Sequence, residues 1–253
     1  MPKWTGGRTG DRGEKRAEWE RSEKRGGWER VGGGVGGGVG DGAGWGGVGW
    51  GGVGAQRGLG FSMIGNDGAG DGGRVRLRRL AAGDEDEFVA LARASVSLHH
   101  PWYSMPATPE EFRAYLGRFS QPTAEGFLVC LRDGGAMAGL FTIDSIVRGR
   151  FQSASLSYAA FAPAAGQGYM SEGLALVVRY AFTELRLHRL EASIQPANQA
   201  SLRLVQRQGF RKEGYSPDML FIDGAWRDHE RWAITREMTS FPPVEPHPTL
   251  PVR

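Results

Sequence analysis

Residues 165–171, Ala165-Gly166-Gln167-Gly168-Tyr169-Met170-Ser171, follow a strand-like segment and open a long helical pattern. Two glycines at such a junction let backbone N–H groups approach a ligand closely. The free donors and dipole of a helix N-terminus favour negative charge there. A pyrophosphate-bearing ligand fits this description, and so does an ordinary tight strand-to-helix turn. A dinucleotide fold is disfavoured, because the Gly-x-Gly-x-x-Gly pattern is not completed: position 171 is serine.

Working outward, Leu174, Val177, Val178, Ala181, Phe182 and Leu185 recur with helical period from about Met170 to Leu185. The next segment, Arg189–Gln195, alternates as a strand with Leu190, Ala192 and Ile194 on one face. Asn198-Gln199-Ala200-Ser201 then starts a helix that runs to about Gln208 and stops at Gly209, a favoured residue just past a helix end. Asn198 is a good N-cap. Ser201, one turn inside, can also reach a ligand lying between the two neighbouring strands, and both readings stand. A hairpin around Asp223-Gly224 has Met219–Ile222 in one arm and Trp232–Thr235 in the other.

Upstream, Val75, Leu77 and Arg79 alternate as a first strand, and Asp84 can cap a helix whose Phe88, Leu91, Ala92 and Val96 share a face. Thr108-Pro109-Glu110-Glu111 begins a second helix, with Phe112, Tyr115, Leu116 and Phe119 as its apolar side. Strands Gly126–Arg132 and Ala136–Ile146 are joined by Asp133-Gly134-Gly135, and Phe151–Phe161 makes a third. The order β-α-α-β-β-β-α-β-α-β-β predicts an α/β domain, a mixed (α+β) sheet with helices on both faces, over residues 73–238.

The flanks are different material. Of the 41 glycines, 28 fall in residues 1–73. Such a chain loses much backbone entropy on ordering, and scattered Val and Trp bury too little area to offset it, so residues 1–72 are predicted to be a disordered low-complexity tail. It reads either as an arm whose Trp4, Trp19, Trp28, Trp45 and Trp50 stack on RNA, or as a segment without a role, with Met63 as an alternative start. Residues 239–253 hold five prolines and are predicted to be an extended tail.

Net charge is +3, with no Lys/Arg block interleaved with aromatics, so nucleic acid is not the expected ligand. The single cysteine, Cys130, lies in an apolar strand pattern and is expected to be a buried hydrophobe. It permits no intrachain disulfide, and no metal site is expected. No apolar run reaches the roughly 18 residues needed to span a membrane. No secretory h-region is found, and a cytoplasmic protein is expected.

Six stretches in this order resemble the GNAT superfamily, and more closely its bacterial ribosomal-protein-alanine N-acetyltransferase branch. They are His99-His100-Pro101-Trp102, Gly166 through Glu172, Leu187 through Ala192, Asn198 through Ser201, Gln208 through Tyr215, and Ile222 through His229. The resemblance covers about residues 74–238. It implies a sheet splayed between strands Phe151–Phe161 and Arg189–Gln195, with acetyl-CoA wedged into the opening. Amides of Gly166, Gln167, Gly168, Tyr169, Met170 and Ser171 would hold the pyrophosphate. Tyr158 to Ala162, Phe161 included, would pair with the pantetheine. Ser201 matches the general acid that protonates the departing thiolate, Asn198 its cofactor-facing neighbour, and Trp102 an aromatic at the acceptor entrance. The acceptor is expected to be a primary amine, such as a ribosomal protein's N-terminus; the alternatives are a small-molecule amine acetyltransferase and a non-catalytic acyl-CoA-binding or ribosome-associated module. Two departures stand out: Ala165 where the signature begins with Gln or Arg, and Met170 where it usually ends in Gly or Ala.

The general base is less evident. Ser153, Ser155, Ser157 and Tyr158 put no carboxylate on the strand before the loop. Glu172 is a candidate, or else a dipole-complementing acid. Asp228 and His229 are candidates, or else a polar structural pair, and His188 is read as structural.

Overall fold

The computed structural model describes residues 63–64 and 73–249. The predicted RNA-stacking arm and the rest of the predicted tail fall outside these residues. Met63–Ile64 does not: it forms strand β1, antiparallel to Val75–Arg79 (β2), with Met63 opposite Arg78. The tail boundary predicted at residue 72 is corrected there.

The sheet has eight strands in the order β1-β2-β3-β4-β5-β6-β8-β7. Its remaining members are β3 (Glu125–Leu131), β4 (Met137–Val147), β5 (Ser153–Ala160), β6 (Arg189–Ile194), β7 (Arg211–Ile222) and β8 (Ala225–Thr235). Helices are α1 (Glu85–Ala94), α2 (Val96–His99), α3 (Pro109–Gly117), α4 (Tyr169–Thr183) and α5 (Gln199–Arg207).

Strand β3 shows why helices cover both faces. Phe127 and Val129 belong to the core with Leu174, Val177 and Val178 of α4, while Leu128 and Cys130 belong to the core with Phe88 of α1 and Phe112 of α3. Successive strand residues point to opposite faces, so a strand apolar at every position must be covered twice. Cys130 is fully buried, as a small hydrophobe would be.

Caps follow the sequence at two helices and depart from it at a third. Glu111 N donates to Thr108 Oγ1 at 3.2 Å and Thr108 N to Glu111 Oε2 at 3.2 Å, a reciprocal capping box with Pro109 at the first helical position. Ser201 N donates to Asn198 Oδ1 at 3.1 Å. Asp84 does not cap α1. Its carboxylate accepts from Ala81 N at 2.8 Å and from Arg78 Nη1 at 2.8 Å, because burial beside a guanidinium favours the ion pair over the helix amides.

Asp223 and Gly224 both take positive φ, as a two-residue hairpin turn requires. Strand β7, however, begins at Arg211, eight residues before the predicted arm. Residues 211–218 are an outer strand, largely exposed and irregular around Pro217, so they carry no alternating apolar signal. Strand β8 likewise begins earlier than predicted, at Ala225. The C-terminal segment folds back: Phe241 packs near Phe182, and Thr249 Oγ1 accepts from Gln152 Nε2 at 2.7 Å.

Candidate active site

Strands β5 and β6 are parallel and share only three register pairs, Ser153–Arg189, Ala154–Leu190 and Ser155–Glu191. Beyond Ser155 they part. Strand β6 stays paired along its whole length with β8, and β5 with β4, so the gap is held open from both sides.

At one end of the gap lies the glycine turn. Gly166 and Gly168 have φ of 76° and 85°, which L side chains rarely adopt, and Gly168 caps α4. The amides of Ser171 and Glu172 return to Gly168 O. Among the described residues, those of Gly166, Gln167, Gly168, Tyr169 and Met170 make no hydrogen bond to protein. Five free donors at the positive end of a 15-residue helix are what an anionic diphosphate needs. Met170, the departure from the signature, is accommodated by Gly139: a Cβ at that position would collide with the Met170 sulfur. Gln208 Nε2 ties α5 to this turn through Ser171 O (2.9 Å) and Oγ (3.1 Å).

Arg74 was not foreseen there. Its Nη2 donates to Gln167 O at 2.9 Å, and its guanidinium carbon stands 4.6 Å from the Tyr169 ring centroid. Its backbone N and Nε each donate to Glu172 at 2.7 Å. Partial burial raises the Glu172 pKa, but these bonds and the Arg74 charge outweigh it and hold the carboxyl below its ordinary range. Glu172 is therefore a poor base, and it does not line the cavity described next. The position of Arg74 just ahead of the first strand gave no sequence signal, since it reaches the turn only through pairing across the sheet.

Along the gap, the predicted stretch Tyr158–Ala162 is only partly available. Phe161 N donates to Ala138 O at 2.9 Å and Ala162 N to Ser95 Oγ at 2.9 Å. The Phe161 ring is fully buried, edge-on to Phe88 with centroids 5.5 Å apart. These two residues present no free amide, which corrects their expected pairing role. Because strand residues alternate, Ser157, Ala159 and Phe161 turn their peptide groups to β4, and Tyr158 and Ala160 turn theirs to the gap. The Ala160 carbonyl meets His99 Nε2 there at 2.7 Å.

At the far end is a cavity of about 340 Å³. Ser157 and Tyr158 of β5, Ser193 of β6 and Gln195 beyond it, Asn198 and Ser201 of α5, Trp102 and Tyr103, and the β7–β8 hairpin with His229 line it. Trp102, Tyr158, Asn198 and Ser201 thus line one cavity. The Tyr158 hydroxyl contacts Ser201 O at 3.5 Å; burial pushes its pKa up to about 12, partly offset by Ser201, so it stays protonated. Gln195, which lines the cavity, has its Nε2 buried without a hydrogen-bond partner. Asp228 and His229 are not a pair. The Asp228 carboxylate accepts from Tyr215 Oη and from Asp218 N (2.8 Å), while His229 Nδ1 bonds Arg227 O at 2.9 Å. Exposed His188 pairs with Glu237 at 3.1 Å, away from the cavity.

A splayed mixed sheet with free helix-terminal amides at one end of the gap and a polar cavity at the other fits a protein that holds a phosphate-bearing ligand along the gap beside a second, polar pocket. The sequence profile of the acetyltransferase (GNAT) domain matches residues 74–211, and the chain belongs to that family. "Probable N-acetyltransferase YjcK" of Bacillus subtilis is 33% identical over 171 residues, 64% of this chain and 94% of that protein. The "[Ribosomal protein uS5]-alanine N-acetyltransferase" of Escherichia coli is 35% identical over 131 residues, 50% of this chain and 68% of that protein. Mycobacterium smegmatis RimJ, solved in complex with CoA-disulfide, superposes with a TM-score of 0.62 at 28% identity, covering 66% of this chain and 84% of its own. The protein is an acetyl-CoA-dependent N-acetyltransferase. No helix among the described residues is long and apolar enough to cross a membrane.

Proposed function

We propose that the acceptor is the α-amine of a protein N-terminus, of the kind a ribosomal protein presents. The observation that carries this reading is the lining of the cavity beside Ser201, which includes no carboxylate and no cationic side chain. A polyamine binds as a multiple cation and needs carboxylates to replace its hydration. An α-amine has a pKa of about 8, so roughly a tenth of it is already neutral at pH 7, against a few lysine side chains in ten thousand. An uncharged polar cavity selects for the former. The relatives named for ribosomal-protein alanine acetylation support the same reading.

Acetyl-CoA supplies an acyl thioester. Its diphosphate is held by the Gly166–Met170 amides and its pantetheine lies along Tyr158 and Ala160. The neutral amine attacks the thioester carbonyl in a ternary complex, a gap-facing amide of Tyr158 or Ala160 holds the oxygen as it gains charge, and Ser201 protonates the sulfur. Ser201 acts beside the Tyr158 hydroxyl, and Trp102 walls the entrance. The test is CoA release against peptides with small N-terminal residues, free amino acids and polyamines. Turnover confined to peptides supports the reading, and turnover led by spermidine or a similar polyamine overturns it.

A further inference from the structure

The side chains lining the cavity include three that titrate, Tyr103, Tyr158 and His229. Burial raises the pKa of both tyrosines, so neither accepts a proton from an amine at neutral pH. Ser157, Ser193 and Ser201 are no more basic. That leaves one candidate. His229 is 2% exposed, and its Nδ1 is engaged with the Arg227 carbonyl at 2.9 Å. A carbonyl accepts only from N–H, so the proton of the neutral ring sits on Nδ1 and the lone pair on Nε2. Among the described residues Nε2 has no hydrogen-bond partner.

The charged neighbours make their hydrogen bonds elsewhere, and of them Asp228 interacts electrostatically with the ring without bonding it. On its own strand, Arg227 Nε bonds Ile222 O, and Arg231 crosses to β7, where a Cβ on Gly214 would meet its Nη2 at 2.6 Å. Asp228 is taken by Tyr215 and Asp218, and Glu230 by Lys212 Nζ (2.6 Å) and Trp232 Nε1 (3.0 Å). From β7, Ser216 stands opposite His229. From β5 and α5 the facing groups are Tyr158 and Ser201, and from the entrance loop Trp102 and Tyr103.

We infer that His229 is the general base of the transfer, with Nε2 taking a proton from the acceptor amine directly or through one water. The assignment rests on the acceptor-amine reading given above. As the nitrogen lone pair forms the C–N bond, the carbonyl π pair moves onto oxygen and Nε2 receives an N–H proton. Return of that pair breaks the C–S bond, and the sulfur takes the Ser201 hydroxyl proton. One proton leaves nitrogen and one reaches sulfur; His229 then releases its proton to water and Ser201 regains one, so both residues end unchanged.

The test compares the parent protein with His229→Gln and His229→Ala on the best peptide of the acceptor panel. Each variant is first checked for an unaltered thermal unfolding midpoint and acetyl-CoA affinity. A positioned base contributes ~10²-fold or more, so kcat falls by that factor while acetyl-CoA affinity holds. Added imidazole restores turnover in His229→Ala and not in His229→Gln. Nitrogen-15 NMR of the protein without acetyl-CoA shows the Nδ1–H tautomer at His229. An Nε2–H tautomer, or variants that keep the parent's kcat, overturns the base assignment and leaves the acceptor reading intact. A parent that binds acetyl-CoA yet acetylates no amine overturns both.

Discussion

The two ends of the β5–β6 gap are built from different materials. The phosphate end is made of backbone: consecutive amides from Gly166 to Met170, set by two positive-φ glycines and one helix start. The acceptor end is made of side chains from separate elements, with Tyr158 on β5, Gln195 after β6, Ser201 on α5 and His229 on β8. Backbone donors tolerate substitution at most positions provided the chain still turns. Side-chain chemistry tolerates almost none. The first end therefore suits a constant cofactor, and the second suits a ligand recognised by its particular side-chain contacts.

The largest effect is expected at the acceptor end. Ser201→Ala removes the proposed proton donor to sulfur, and kcat is expected to fall by ~10²-fold or more, in the range for one positioned acid. Its backbone still donates to Asn198 Oδ1 and its side chain contributes nothing to the cap, so stability and acetyl-CoA affinity stay at parent levels. Rapid-quench kinetics beside calorimetric binding check this, and a matching loss of affinity would erase the distinction between the ends.

A smaller effect is expected from the backbone end. Gly168 has φ of 85°, and a Cβ there would lie 3.1 Å from Arg74 Nη2. Gly168→Val forces a β-branched residue into the left-handed region at a cost of about 1–2 kcal/mol, so acetyl-CoA binds about tenfold more weakly or the turn rearranges. Acceptor KM at saturating acetyl-CoA stays near the parent value. Arg74→Gln acts at the same end through charge. The guanidinium is 53% exposed, so the change is worth at most about 1 kcal/mol, a few-fold in acetyl-CoA affinity. That loss shrinks further as salt is raised.

The same division explains what the sequence disclosed. Local features were legible: the Gly166–Gly168 turn, the α4 period, the Thr108 box and the Asp223-Gly224 hairpin each depend on neighbours a few residues apart. Arg74 and Glu172 meet across 98 positions, and no local pattern announces such a contact. Strand β7 was half missed because Arg211 to Asp218 is a solvated outer strand with no apolar alternation. Tyr158 to Ala162 read as one strip, but which peptides face the gap depends on the register with β4. His229 was visible as a residue and not as a ring with one nitrogen committed and the other free. The resemblance singled out Ser201 and Asn198, which the fold places on one cavity.

Gln195 gives the smallest effect and the sharpest contrast in sign. Its Nε2 is buried without a partner, and an orphaned amide of this kind costs roughly 1–3 kcal/mol of folding stability. On the proposed peptide acceptor, the first peptide carbonyl would be the group that removes this cost on binding. Gln195→Leu keeps the volume and discards the orphan. The unfolding midpoint of the protein alone then rises by about 2–4 °C per kcal/mol recovered, while acceptor KM rises several-fold and acetyl-CoA affinity does not change. Differential scanning calorimetry and peptide titrations at saturating acetyl-CoA measure the two together. If the midpoint and the KM both stay put, cavity water already satisfies the amide, and the acceptor end is less preformed than the phosphate end.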